Sequence, residues 1–177
     1  MKLQSGDIFA VKGDGLLGKL ASTLMEPKTE RFHFGLVWRK VGDDYLILES
    51  IGKGIAVGRL SFYAGQDVKL YRVNCPASLR RLAPGELTKY GRSKYDYLLL
   101  FKIVIQGFWT IFKNFCKGEG IHPIRAEDLT WSHNSALVCT EAVDIAYLSV
   151  GVSLTGGVCP TPSAFKQAEL DGVITEL

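Results

Sequence analysis

Cys139 lies in the run ALVCTEAVDIAYL, at the start of a segment that reads as a helix from Ser135 to Ser149. A cysteine in the first turns of a helix sits among backbone N–H groups that have no helical partner, at the positive end of the helix dipole. Both favour thiolate over thiol, and the thiolate is the nucleophile. Position alone leaves Cys139 open between a reactive thiol and a buried packing residue. The other cysteines are poorer candidates. Cys75 and Cys159 each precede a proline, and Cys116 follows a long apolar run. No C-x-x-C pair occurs, so no zinc site is written in the spacing.

A sulfur nucleophile needs a base beside it and a polar group that fixes the base. His33 opens the run FHFGLVWR, and Glu49 closes the run YLILES. The two runs alternate like strands and flank Gly42-Asp43-Asp44, so they predict a hairpin. A three-residue turn at Val41 to Asp43 pairs Lys40 with Asp44 and Gly35 with Glu49. His33 then shares a face with Glu49, two residues along. A turn of even length puts them on opposite faces. By itself a lone histidine such as His33 is more often a residue packed on the sheet. His133, six residues before Cys139, is a competing histidine, and His122 before a proline looks structural. Glu141, two residues after Cys139, points away from it on a helix and is read as a cap or as paired elsewhere.

Gly13-Asp14-Gly15-Leu16-Leu17-Gly18 matches G-x-G-x-x-G, and with Lys19 it approaches a phosphate loop. Leu20 stands where a magnesium-binding hydroxyl belongs. The following strand ends Trp38-Arg39-Lys40 and turns straight into the hairpin, which is not a parallel βαβ unit. A nucleotide-binding protein using residues 13–19 is therefore the weaker rival, and a turn is the expected role.

The elements that must position these groups fall into two halves. Strands are expected at Asp7 to Val11, Phe32 to Arg39, Tyr45 to Ser50, Lys53 to Val57 and Asp67 to Val73. Leu16 to Met25 reads as a short helix ended by Pro27. Beyond Pro76 helices take over: Ser78 to Tyr90, interrupted at Pro84-Gly85; Tyr95 to Phe115; the Cys139 helix; and Ser163 to Glu169. Lys117 to Trp131 reads as a loop, and Gly172 to Leu177 as a final strand. Segregated strands and helices predict an α+β fold with an antiparallel sheet and flanking helices.

Bulk composition agrees. The 177 residues suit one domain, and 47% hydrophobic against 22% charged excludes disorder. A formal charge of +3, with no dense Lys/Arg run, argues against nucleic acid as a partner. Met1 to Asp7 is polar and lacks the apolar stretch of a signal peptide, so a cytoplasmic chain with free thiols is expected. The apolar run Leu98 to Phe112 falls short of the roughly 20 residues of a membrane span. Lys102, Gln106 and Lys113 share one helical face within and just beyond it. A mostly buried helix with a narrow polar stripe is expected, with membrane or greasy-substrate contact as the lesser reading.

The ordered set Ser5-Gly6-Asp7-Ile8-Phe9, Phe32-His33-Phe34-Gly35-Leu36-Val37, Leu48-Glu49-Ser50, GRSKYD at 91–96, Val138-Cys139-Thr140-Glu141 and Thr161-Pro162-Ser163-Ala164-Phe165 resembles one family. It is similar to the circularly permuted NlpC-type hydrolases of the papain-like superfamily, the YiiX-like group. The resemblance runs from Gly6 to about Phe165, and its histidine precedes its cysteine, as the permutation implies. It implies a permuted papain-like fold with Cys139 as nucleophile, His33 as base and Glu49 as the residue that orients it. Tyr95 would be a substrate or oxyanion-side contact. The sequence departs from the pattern in the Phe before His33 and in the long apolar segment Leu98 to Phe115.

The resemblance implies acyl transfer through a thioester, with no metal or organic cofactor. Expected substrates are a peptide, an isopeptide or another acyl amide or ester, including one carried on a lipid. A non-catalytic binding module on the same fold is the main rival reading.

Overall fold

A computed structural model describes residues 2–13, 24–91, 93–118, 122–132 and 136–177, leaving aside the side chain of Leu100. The strands are β1 (Ile8–Lys12), β2 (Met25–Glu26), β3 (Arg31–Val41), β4 (Asp44–Ile51), β5 (Gly54–Arg59), β6 (Val68–Val73), β7 (Ile124–Arg125) and β8 (Ile174–Glu176). The helices are α1 (Ala77–Thr88), α2 (Tyr97–Cys116), α3 (Cys139–Leu148) and α4 (Pro162–Leu170). Six strands form one antiparallel sheet in the order β5-β4-β3-β1-β6-β8. β2 and β7 form a separate parallel pair.

Alternation along the strands divides the sheet into two faces. Ile8, Ala10, Phe34, Leu36, Leu48, Tyr71 and Val73 point to one face, where α1, α3 and α4 cover them with Leu87, Val143, Tyr147 and Phe165. Phe9, Val11 and Ile47 point to the other, under Leu60 and Tyr63 from the 3-10 turn Leu60–Tyr63. The fold is thus α+β, with helices on an antiparallel sheet.

The Gly6-Asp7 pair is a structural clamp. The Asp7 carboxylate is fully buried and accepts from both Nε and a terminal nitrogen of Arg72, at 2.9 and 2.6 Å. Gly6 has φ of +90°, and a Cβ there would stand 2.1 Å from the Arg80 carbonyl oxygen on α1. That carbonyl is the one a residue at position 84 would bond in a helix, and Pro84 has no N–H to offer.

Several expectations need correction. α1 runs unbroken through Pro84, because tertiary packing buries Ala83, Pro84 and Leu87. Of the helix expected from Leu16 to Met25, Leu24 is helical and Met25 already belongs to β2; residues 14–23 lie outside the described residues. The expected loop from Lys117 to Trp131 contains β7 and a short 3-10 turn. α3 begins at Cys139 itself, so the thiol occupies the first helical position.

The largest correction concerns α2. Expected from Tyr95 to Phe115 and too short to span a membrane, it runs Tyr97–Cys116, 20 residues long and apolar enough to cross one by length and composition, and it is not mostly buried. Leu98 is 74% exposed and Phe115 67%, while Gln106, from the expected polar stripe, faces the protein and exchanges two hydrogen bonds with the backbone of Thr130. The inner face rests Ile103 and Ile111 on Met25, Ile124 and Leu129.

Candidate active site

Two irregularities in β3 set the site. The hairpin turn has two residues, Gly42 and Asp43, because Val41 pairs with Asp44. That even turn would by itself put His33 and Glu49 on opposite faces. Trp38 then stands as an extra residue between the pairs Arg39–Leu46 and Val37–Ile47. This bulge restores the parity, and Gly35 pairs with Glu49 as expected. A second bulge occurs at Phe32: Val11 pairs with His33 and Lys12 with Arg31, skipping it. The Phe32 carbonyl accepts from the Cys139 thiol at 3.5 Å.

His33 and Glu49 therefore meet. His33 Nε2 lies 2.5 Å from Glu49 Oε2, and the Tyr63 hydroxyl donates to the same oxygen at 2.6 Å. The imidazole is also hydrogen-bonded to Cys139. With Nε2 held by Glu49, Nδ1 is the nitrogen left for the sulfur. Burial works against a charge on His33, but bonds to Cys139 and Glu49 and the charges on both outweigh it. His33 is pushed up to about 9, so it holds a proton at neutral pH. Burial likewise pushes the Glu49 carboxyl up, yet His33 and Tyr63 more than offset it and hold it below its ordinary value. The Tyr63 hydroxyl is held well above its usual range, first by burial and then by Glu49.

Cys139 reaches this pair through backbone ties. The Ser50 hydroxyl, next to Glu49, donates to the Leu137 carbonyl at 2.6 Å. The Leu137 N–H donates to the Lys94 carbonyl at 3.0 Å. These two bonds run the segment entering α3 between the end of β4 and the irregular stretch 93–96 that carries Tyr95. Tyr95 is hydrogen-bonded to Cys139, and its hydroxyl is raised by burial and by the sulfur beside it. All four predicted site residues, Cys139, His33, Glu49 and Tyr95, converge.

Glu141 has the capping role that was one of its two expected readings. It is fully buried and accepts from the N–H of Val138, the residue that caps α3. Burial pushes its carboxyl up to about 7. The remaining cysteines are also free. Burial raises Cys159 to about 12, which makes it inert at neutral pH. His122 is exposed in the loop before β7, and His133 and the glycine loop from Gly15 through Lys19 lie outside the described residues.

Two contributors escaped sequence reasoning. Tyr63 sits in the turn after β5 and carries no local signal of its role. Gly58 does: a glycine inside a strand often marks a close approach. A Cβ there would stand 2.9 Å from Glu49 Oε1, so the glycine leaves room for the carboxylate. Among the described residues no cluster of His, Cys, Asp and Glu is placed to hold a metal ion. Two clefts of about 480 and 600 Å³ lie elsewhere, and neither is lined by the four converging residues.

The chemistry open to this arrangement is nucleophilic. A thiol on the first residue of a helix, an imidazole on it, and a carboxylate behind the imidazole form a linear relay. Compared with known proteins, the chain matches no family model and no curated protein sequence.

Proposed function

We propose that this protein is a cysteine hydrolase of the permuted papain-like kind, acting on amides, esters or thioesters by acyl transfer. The observation that carries the reading is the continuous hydrogen-bonded chain Cys139–His33–Glu49. His33 keeps the thiol proton, and the Cys139 sulfur attacks the substrate carbonyl carbon. The carbonyl electrons move to oxygen, where the backbone N–H at the start of α3 and the Tyr95 hydroxyl stabilise the charge. The oxyanion collapses, and His33 delivers its proton to the leaving amine, alkoxide or thiolate. A thioester on Cys139 remains. His33, now neutral, takes a proton from water, and the hydroxide so formed releases the acid and restores the thiol. Glu49 stays ionised throughout and holds the imidazole in place.

Exposure to p-nitrophenyl acetate tests this. An initial burst of p-nitrophenol, with one acetyl group retained on Cys139 by peptide mass mapping, is expected. The burst disappears in Cys139→Ala and slows by about 10²-fold or more in His33→Gln. Acetylation spread evenly over Cys75, Cys116 and Cys139 would overturn the reading.

A further inference from the structure

Helix α2 is folded with its apolar side outward. Leu98, Phe101, Ile105, Trp109, Phe112 and Phe115 are each exposed by half or more. Their spacing of three and four puts them on one continuous stripe. The orientation is fixed from the inside, since Gln106 is bonded to Thr130, and a Cβ on Gly107 would stand 2.8 Å from Ile124 Cδ1. The helix cannot roll to hide the stripe without breaking those contacts. A contiguous aromatic patch of this size calls for a covering.

The charges beside it choose the covering. Lys102 and Lys113 follow Leu98 and Trp109 by four residues and so border the stripe. Lys113 Nζ lies 5.4 Å from the centre of the Trp109 ring. Lys117 follows the helix, and no Asp or Glu occurs from Tyr97 through Gly118. A second copy packed two-fold on this face would set lysines against lysines with no carboxylate in the segment to neutralise them. An anionic lipid surface offers apolar depth for the rings and negative headgroups for the lysines. The inner face is committed to the protein body, so the helix lies in the plane of the surface instead of crossing it.

We propose that α2 is an in-plane membrane anchor that inserts its Leu98-to-Phe115 stripe into an anionic leaflet. Tyr95 precedes the helix by two residues, and its ring packs at a tilt against that of Tyr97, centroids 4.9 Å apart. The anchor is thus rooted at the candidate active site, although it does not depend on the hydrolase reading.

Sedimentation of the full chain with phosphatidylcholine vesicles, with and without phosphatidylglycerol, tests the anchor. Binding is expected to be on the order of tenfold tighter when the anionic lipid is present, and Lys102→Gln with Lys113→Gln should remove most of that gain. Phe101→Ser with Phe112→Ser should weaken binding to both vesicles by roughly tenfold or more. These side chains are exposed, and thermal melting checks that the variants stay folded. Independently, lipids brominated on the acyl chains should quench the native fluorescence, and Trp109→Phe should abolish the quenched component. Cys139→Ala should bind like the native chain, which separates this result from the catalytic one. The proposal fails if the native chain stays unbound with both vesicles. It also fails if light scattering finds a dimer that the paired Phe→Ser changes dissolve while vesicles leave it intact.

Discussion

At the scale of single residues, the controlling fact is that one oxygen of Glu49 serves two partners. His33 and Tyr63 both bond Oε2, and together they keep the carboxylate ionised despite its burial. Glu49→Gln removes the charge that supports the imidazolium, while leaving a side chain of the same size. The His33 titration, followed by the imidazole proton resonances, should then fall from about 9 toward its ordinary 6.5. Acyl transfer should drop by about 10- to 10³-fold, because the ring loses its orienting partner. An unchanged titration would mean that the sulfur alone sets the proton affinity of His33. The residue types at 33, 49 and 139 were readable in advance because each has little use in a sheet or helix start other than chemistry or packing. Tyr63 was not readable, since nothing in its neighbours separates a tyrosine that bonds a carboxylate from one that covers a sheet.

At the scale of elements, the hairpin shows how one register can be reached by two routes. A three-residue turn would have brought His33 and Glu49 to one face; the turn used has two residues, and the extra residue is taken up at Trp38 instead. Alternation is blind to this, because a bulge and a longer turn shift the parity identically. Deleting Trp38 should therefore leave Gly35 opposite Glu49 and the His33 titration near 9. The Trp38 ring is half-buried against the main core, so the deletion should still cost about 1–3 kcal/mol in urea unfolding. A collapse of the titration to its ordinary value would show that the bulge aims His33 as well as counting residues. The outward face of α2 was illegible for a related reason. Periodicity reports that a helix has an apolar stripe, and only the docking of Gln106 on Thr130 decides which way the stripe points.

At the scale of the whole molecule, several groups bind protons more tightly in the folded chain than in the unfolded one. Burial raises Glu141 to about 7 and Asp144 to about 6, and His33 is raised to about 9. The stability tied to each is complete below the group's ordinary value. It is lost as pH climbs through the raised one: near 6 for Asp144, 7 for Glu141 and 9 for His33. Glu49, held low, acts in the opposite sense, and its share is lost only on acidification. Unfolding midpoints in urea should therefore fall from mildly acidic toward alkaline pH. Glu141→Gln should flatten the part of that fall that runs from the ordinary 4.5 up to about 7. A midpoint that rises across this interval would contradict the burial of these acids. The segregation of strands before residue 75 and helices after it was plain from pattern, and so was the α+β class. The β2–β7 pair was not, because two-residue strands leave no periodicity to detect.

The ties from Ser50 to Leu137 and from Leu137 to Lys94 also fix a chronology. During synthesis His33 and Glu49 emerge first, and the thiol that needs them follows about a hundred residues after His33, several seconds later at ordinary elongation rates. The first hairpin can form as soon as β4 is made, since its contacts are local. The thiol cannot be aligned until residues 93–96 and the entry to α3 have threaded against it, which are distant closures and slow ones. β8, which pairs with β6 along the outer border of the sheet, comes later still. A nascent chain therefore carries its base and its carboxylate without a partner to activate, and the reactive centre closes only late in synthesis.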